Sequence, residues 1–125
     1  MTVLVDSDIL IEVSRGRDAE IISQWLDLAR ADAAVLYSPV SVAELWAGAR
    51  PSEHDALNRF FHVLKCASID HETGHQAGIY LRKYRKSHGV EIADALIAAC
   101  TVANGADLWT RNRKHYPMKG VSFFG

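Results

Sequence analysis

The run Val3-Leu4-Val5-Asp6-Ser7-Asp8 sets the architecture. Three consecutive aliphatic residues, two of them β-branched, end on two acids that bracket a serine. A strand with one wet face alternates apolar and polar residues, whereas a brief unbroken apolar run fits a strand covered on both faces, as parallel strands are. Working outward, Ile9–Val13 reads as a short helix broken by Gly16 and Arg17. Asp18 caps a helix over Ala19–Ala31, with Ile21, Trp25, Leu28 and their neighbours at helical spacing. Ala34–Tyr37 is a second strand closed by Ser38-Pro39, Ser41–Arg50 is helical up to Pro51, and Ser52 caps a helix over Glu53–Lys65. Ala67-Ser68-Ile69 is a weak third strand. A long helix over Glu72–Ser87 ends at Gly89 as a C-cap, and Glu91–Asn104 is the most apolar helix. Asp107–Thr110 and Val121–Phe124 are the fourth and fifth strands.

Short strands alternating with helices predict an α/β domain, with a mostly parallel sheet of about five strands between helices. One domain over residues 1–125 is expected, since a chain of this size buries roughly two-thirds of its unfolded surface. Ligands in such sheets bind beyond the carboxyl ends of the strands, so Asp6 and Asn112, each just past a strand end, are expected at a site. With 49% hydrophobic and 23% charged residues the chain is not disordered. No apolar run nears the ~20 residues of a membrane span, and the basic-then-apolar pattern of a secretory leader is missing, so a cytoplasmic location is expected. Cys66 and Cys100 both sit in apolar stretches and are expected to be buried, reduced thiols.

The net charge of −1 conceals an asymmetry. Residues 1–65 carry 6 basic and 10 acidic side chains, residues 66–125 carry 8 and 5. The basic groups cluster at Arg82–Lys86 and at Arg111, Arg113 and Lys114. Such clusters can contact a phosphate backbone, although a solvated helix face explains the first equally well.

Five acids are candidates for more than a structural role. Asp6 and Asp8 follow a buried strand; helix capping needs only one of them. Glu44 fits a capping box with Ser41, in which a Glu at the third helical position reaches back to the cap backbone. Asp94 interrupts Ile92-Ala93-Asp94-Ala95-Leu96-Ile97-Ala98-Ala99, where a buried carboxylate is costly unless paired or metal-bound. Glu91, three residues earlier, is an auxiliary acid or a first-turn charge. Oxygen ligands without a cysteine or histidine cluster suit Mg²⁺ or Mn²⁺, and a carboxylate-held ion can activate water against a phosphodiester.

These residues resemble the PIN-domain family, in particular its VapC-type toxins. Leu4–Ile11 resembles the family's opening strand and first acid, Ser41–Gly48 its second motif, Ile92–Ala99 its third and Leu108–Tyr116 its fourth. The resemblance implies a PIN-like three-layer fold in which Asp6, Glu44 and Asp94 hold Mg²⁺ or Mn²⁺, with Asn112 completing the catalytic set. It implies a metal-dependent endoribonuclease that is the toxin of a type II toxin–antitoxin pair, a homodimer silenced by a cognate antitoxin. The fourth motif often carries Asp where this chain has Asn112, and Asp8 stands where the family often has Asn. The loss of a charge at Asn112 favours one tightly held ion over two. Asp8, Glu91 and Thr110 are auxiliary candidates; Arg111, Arg113 and Lys114 are candidates for RNA contact.

Two other readings compete. Asp6-Ser7-Asp8 after an apolar strand also resembles the opening of haloacid-dehalogenase-type phosphatases, with Asp6 as nucleophile and Asp8 as acid/base. That reading leaves Glu44 and Asp94 without roles. A binding module that kept the fold and lost the chemistry is the other. Residues 18–31 and 52–65 are the expected dimer and antitoxin surface, while Trp25, Phe60, Phe61, Trp46 and Trp109 are expected mainly in the core.

Overall fold

The computed structural model describes residues 1–125. Its five strands are β1 (Thr2–Val5), β2 (Ala34–Tyr37), β3 (Lys65–Cys66), β4 (Asp107–Trp109) and β5 (Ser122–Phe123). All pair in parallel, in the order β3-β2-β1-β4-β5. The chain builds leftward from β1 to β2 and β3, then crosses to the other side of β1 for β4 and β5. That change of direction falls between β1 and β4, and it opens a crevice beyond their carboxyl ends. Asp6 leaves β1 there and Thr110 leaves β4 there.

The reading of Val3-Leu4-Val5 is borne out residue by residue. All three are fully buried. Val3 and Val5 point into one core, with Ile9, Leu10, Leu45 and Trp109. Leu4 points into the other, with Leu36, Leu108, Ile97 and Ala98. The two-residue period of a strand thus feeds both layers. Helices α1 (Ser7–Arg15), α2 (Ala19–Arg30), α3 (Pro39–Gly48) and α4 (His54–His62) cover the Val3/Val5 side. Helices α5 (His71–His88) and α6 (Ile92–Ala103) cover the Leu4 side and pack on each other. Phe61, against Tyr37, and Trp109 are core, as expected, while Trp25 and Phe60 are partly buried, with Trp25 stacked on both Phe60 and Trp109. Trp46 is only partly buried and packs on His54.

Most boundaries lie within a few residues of the sequence reading, and three elements differ in ways that matter for the site or the edge of the sheet. The third strand is Lys65–Cys66, not Ala67–Ile69, and pairs with Leu36 and Tyr37. It is a two-residue edge strand with both side chains exposed, so no apolar run marks it. Cys66 is accordingly exposed, and only Cys100 is the buried thiol that was expected. The helix expected from Ser41 begins at Pro39, because Ser38 is the cap: its Oγ accepts the Ser41 N–H, and Pro39 occupies the first turn, where its missing N–H costs nothing. The helix expected over Glu53–Lys65 is preceded by a 3₁₀ turn at Pro51–Glu53 and stops at His62. No helix is long and apolar enough to cross a membrane.

Leu4 touches the layer that holds α5 and α6 from the middle of the sheet. Leu4→Ala should destabilise the chain by about 2–5 kcal/mol, the range for a fully buried leucine. A urea titration measures it, as a lower midpoint at unchanged slope.

Candidate active site

Beyond the carboxyl ends of β1 and β4 lies a cleft of about 390 Å³ lined by Asp6, Asp8, Glu44, Glu91, Asp94 and Asn112. Six of the residues anticipated from sequence therefore face one space. Ser7, His115 and Tyr116 line it too, and these sequence reasoning missed as site residues.

Asp6 is the hub. It is buried, and its Oδ1 accepts the Ser7 N–H that starts α1. Its Oδ2 receives two hydroxyl donors, Thr110 Oγ1 and Tyr116 Oη, each at 2.8 Å. Thr110 thus orients Asp6 rather than standing free. Burial, followed by the anionic Asp6 beside it, pushes the Tyr116 phenol far above its ordinary range, so it remains a donor at any working pH. No spacing in the sequence marks Tyr116, which reaches the buried acid only because the loop after β4 folds back.

Asp8 sits in the first turn of α1, half-buried. Its Oδ1 accepts the Ile9 N–H, and its Oδ2 accepts the Arg111 N–H at 2.9 Å and the Asn112 side-chain N–H at 3.2 Å. Asn112 therefore serves as a donor to Asp8, a role an Asp at that position could not fill while ionised. Burial, then the neighbouring Asp6, raises the Asp8 pKa; the two backbone N–H donors act in the opposite sense.

Glu44 and Asp94 exchange the local roles their sequences suggest. Because α3 starts at Pro39, Glu44 lies in its second turn and caps nothing; its Oε1 instead accepts from Ser7 Oγ at 2.8 Å, and Ser7 Oγ also meets Ser41 Oγ at 2.8 Å. Asp94 is the residue in a capping position. Its Oδ2 accepts the Glu91 N–H at 3.1 Å, which leaves Oδ1 toward the cleft, 3.8 Å from His115 Nδ1. Asp94 is half-buried rather than engulfed, and burial is the main cause that raises its pKa, with Asp6 and Glu91 adding to it and His115 opposing it.

Two of the expected phosphate contacts have other partners. The Arg111 guanidinium pairs with Glu12 at 3.2 Å and Asp18 at 3.7 Å. Arg113 binds the carbonyls of Phe124 and Gly125 and lies over the Phe123 ring, strapping down the last residues. Lys114 is exposed.

The donor set suits a hard divalent cation. No three acidic, histidine or cysteine side chains stand together as a ready-made cage. Glu44 Oε2 and Asp94 Oδ1 receive no hydrogen bond and line the same cleft as Asp6. An ion that keeps several waters and takes one or two carboxylates, as Mg²⁺ does, matches that arrangement; a closed four-ligand site does not.

An α/β fold with carboxylates gathered at the switch point of a parallel sheet defines a class of cation-binding phosphodiester chemistry, and comparison with known proteins narrows it. The PIN domain family model matches residues 3–120, and the chain belongs to that family. It is 37% identical to ribonuclease VapC10 of Mycobacterium tuberculosis over 117 residues, 93% of this chain and 86% of that protein. It is 34% identical to ribonuclease VapC19 of the same organism, over 92% of each. The fold matches VapBC2 from Rickettsia felis bound to a DNA fragment from their promoter, with a TM-score of 0.82, 20% identity and coverage of 99% and 98%. DNA-bound VapBC from Salmonella typhimurium gives 0.79 at 17% identity, covering 99% and 97%. Family membership decides against the phosphatase reading of Asp6-Ser7-Asp8.

A carboxyl whose pKa is raised by folding binds its proton more tightly in the folded state, so it subtracts stability once pH rises through the window above its ordinary value of 3.8. Asp94→Asn removes that penalty and keeps a cap acceptor. In the presence of a chelator the variant should unfold at an equal or higher temperature than the parent at pH 7. The difference should close as pH falls toward 3.8. A lower melting temperature at pH 7 would make Asp94 a structural residue.

Proposed function

We propose that this chain is a divalent-cation-dependent endoribonuclease that hydrolyses RNA phosphodiester bonds, and that it is the toxin of a toxin–antitoxin pair. The observation that carries the reading is the carboxylate-lined cleft in a chain 37% identical to a ribonuclease. Asp6, Glu44 and Asp94 are the residues that would hold Mg²⁺ or Mn²⁺. A bound ion supplies Lewis acidity toward the phosphodiester and the attacking water. Thr110 and Tyr116 fix the Asp6 carboxylate through neutral hydroxyls and leave its negative charge for the cation. Ser7 does the same for Glu44. Asp8 and Asn112 lock the loop after β4 against the start of α1, and Glu91 stands at the rim of the cleft.

Several solved structures of this fold are toxin–antitoxin assemblies, including a toxin-antitoxin complex from Klebsiella pneumoniae. An antitoxin is accordingly the expected protein partner, and a homodimer in the cytoplasm the expected state. The exposed apolar residues Leu26 of α2 and Val63 just after α4 lie in the two segments proposed for those contacts.

Cleavage of a labelled RNA should require Mg²⁺ or Mn²⁺ and stop with EDTA. Glu44→Gln and Asp94→Asn should each lose more than the roughly 10–100-fold typical of an outer-shell change, whereas Tyr116→Phe, acting through Asp6, should fall within that range. Undiminished cleavage by a folded Asp94→Asn protein would overturn the assignment. Absence of cleavage by the parent under every metal would favour a PIN-fold binding module.

A further inference from the structure

We propose that a trough between α1 and α3 leads the backbone of a single-stranded RNA from the acidic cleft to a second, basic subsite formed by Arg15, Arg17 and Arg50. The proposal rests on the ribonuclease reading above.

The subsite is a cavity of about 570 Å³ with no hydrophobic residue in its lining. None of its three guanidinium groups is in an ion pair, whereas Arg30 and Arg111 both are. The one acid at its edge, Glu53, already accepts the Arg50 backbone N–H at 2.9 Å. Three exposed cations converge on one space with a single carboxylate among them. The helix C-terminus accounts for Arg15, which belongs to the last turn of α1. Nothing in the fold accounts for Arg17 and Arg50 standing beside it, and like charges so placed repel unless an anion joins them.

The subsite continues the active cleft. Asp8 and Ile11 of α1 line the acidic cleft, and Ser14 and Arg15 line the basic one. On α3, Glu44 lines the acidic cleft and Gly48 the basic one. Steps of three and four residues keep to one helix face, so both cavities open on the same facing sides of two helices that pack together. At 1.5 Å per residue Arg15 and Arg50 lie roughly 9–10 Å along the chain direction from Asp8 and Glu44. A stacked strand advances about 3.4 Å per nucleotide, which makes the separation about three nucleotides. The space at Gly48 is open: a Cβ added there would meet nothing within 4 Å. Guanidinium groups that track a backbone bind phosphates without regard to base, so the subsite sets affinity and the register of the strand across the acids.

The test uses the full chain carrying Asp94→Asn, so that the ligand is not cut, in Mg²⁺, with binding read by fluorescence anisotropy. Two labelled RNAs are compared: a dinucleotide, which occupies the acidic cleft alone, and an unstructured strand of roughly 12 nucleotides. Adding Arg15→Gln, Arg17→Gln and Arg50→Gln together should weaken the longer strand by roughly tenfold or more at 0.1 M salt and lower its log–log salt slope by about 2, three lost contacts at about 0.7 each. Dinucleotide affinity should change less than about twofold, since it reaches no arginine. Gly48→Glu should weaken the longer strand as well, and Gly48→Ala should not. An unchanged salt slope, or equal losses for both RNAs, overturns the trough and leaves the ribonuclease reading standing. If the parent binds neither RNA, the ribonuclease reading fails and the trough with it.

Discussion

A buried carboxylate held only by neutral donors governs this structure. Asp6 ends the central strand, where protein interior begins to give way to the crevice. An ionised acid in such a place needs compensation. A purely structural acid would find it in an arginine, whose charge would cancel its own. Asp6 finds it in Ser7 N–H, Thr110 Oγ1 and Tyr116 Oη, all neutral donors. The fold satisfies its hydrogen bonds without neutralising it, and the negative charge is left to act on whatever enters the cleft. The same three contacts tie the end of β1 to α1, to the end of β4 and to the loop beyond it, so the geometry of the acid and the closure of the fold are one problem.

The surrounding acids follow the same logic. Asp8 spends both oxygens on amide donors, and Glu44 and Asp94 each spend one on a hydroxyl or a backbone donor. None has a lysine or arginine within ion-pair distance; His115 stands beside Asp94, and the Arg111 charge reaches Asp8 from farther off. Burial and mutual repulsion hold the pKa values of Asp8 and Asp94 up, a state that a divalent cation would relieve. Stability is given up locally for a site primed to bind positive charge, a trade expected where function rather than packing selects the residue.

Much of this was legible in the chain because the signals were local. An unbroken apolar tripeptide followed by acids identifies a doubly covered strand, and the alternation of strands and helices identifies the sheet. What was not legible were choices made between competing local partners. Ser38 and Ser41 both suit an N-cap; Pro39 settles the matter for Ser38, and that shift of three residues turns Glu44 from a cap into a cleft residue. The edge strand Lys65–Cys66 carries no apolar pattern, because its pairing is through backbone alone. Tyr116 and His115 enter the site through a loop that turns back from β4, which no spacing rule records.

Charge illustrates the limit most clearly. Counting along the chain assigns the basic surface to the second half, with Arg111 and Arg113 foremost. In space, Arg111 is occupied by Glu12 and Asp18, and Arg113 by the final carbonyls. Arg15, Arg17 and Arg50, none of them in an ion pair, belong to the acidic half, where the formal sum hides them. Net charge by segment counts cations without asking which are already paired, whereas a polyanion responds only to those left free. Asp8 in the first turn of α1 and Glu44 in the second turn of α3 face the cleft, and arginines stand at or beyond the ends of both helices, so one pair of helices presents a cation site and an anion site about two turns apart. A strand of RNA is the ligand that needs both, because it offers phosphate to be cut at one place and phosphate to be held at the next.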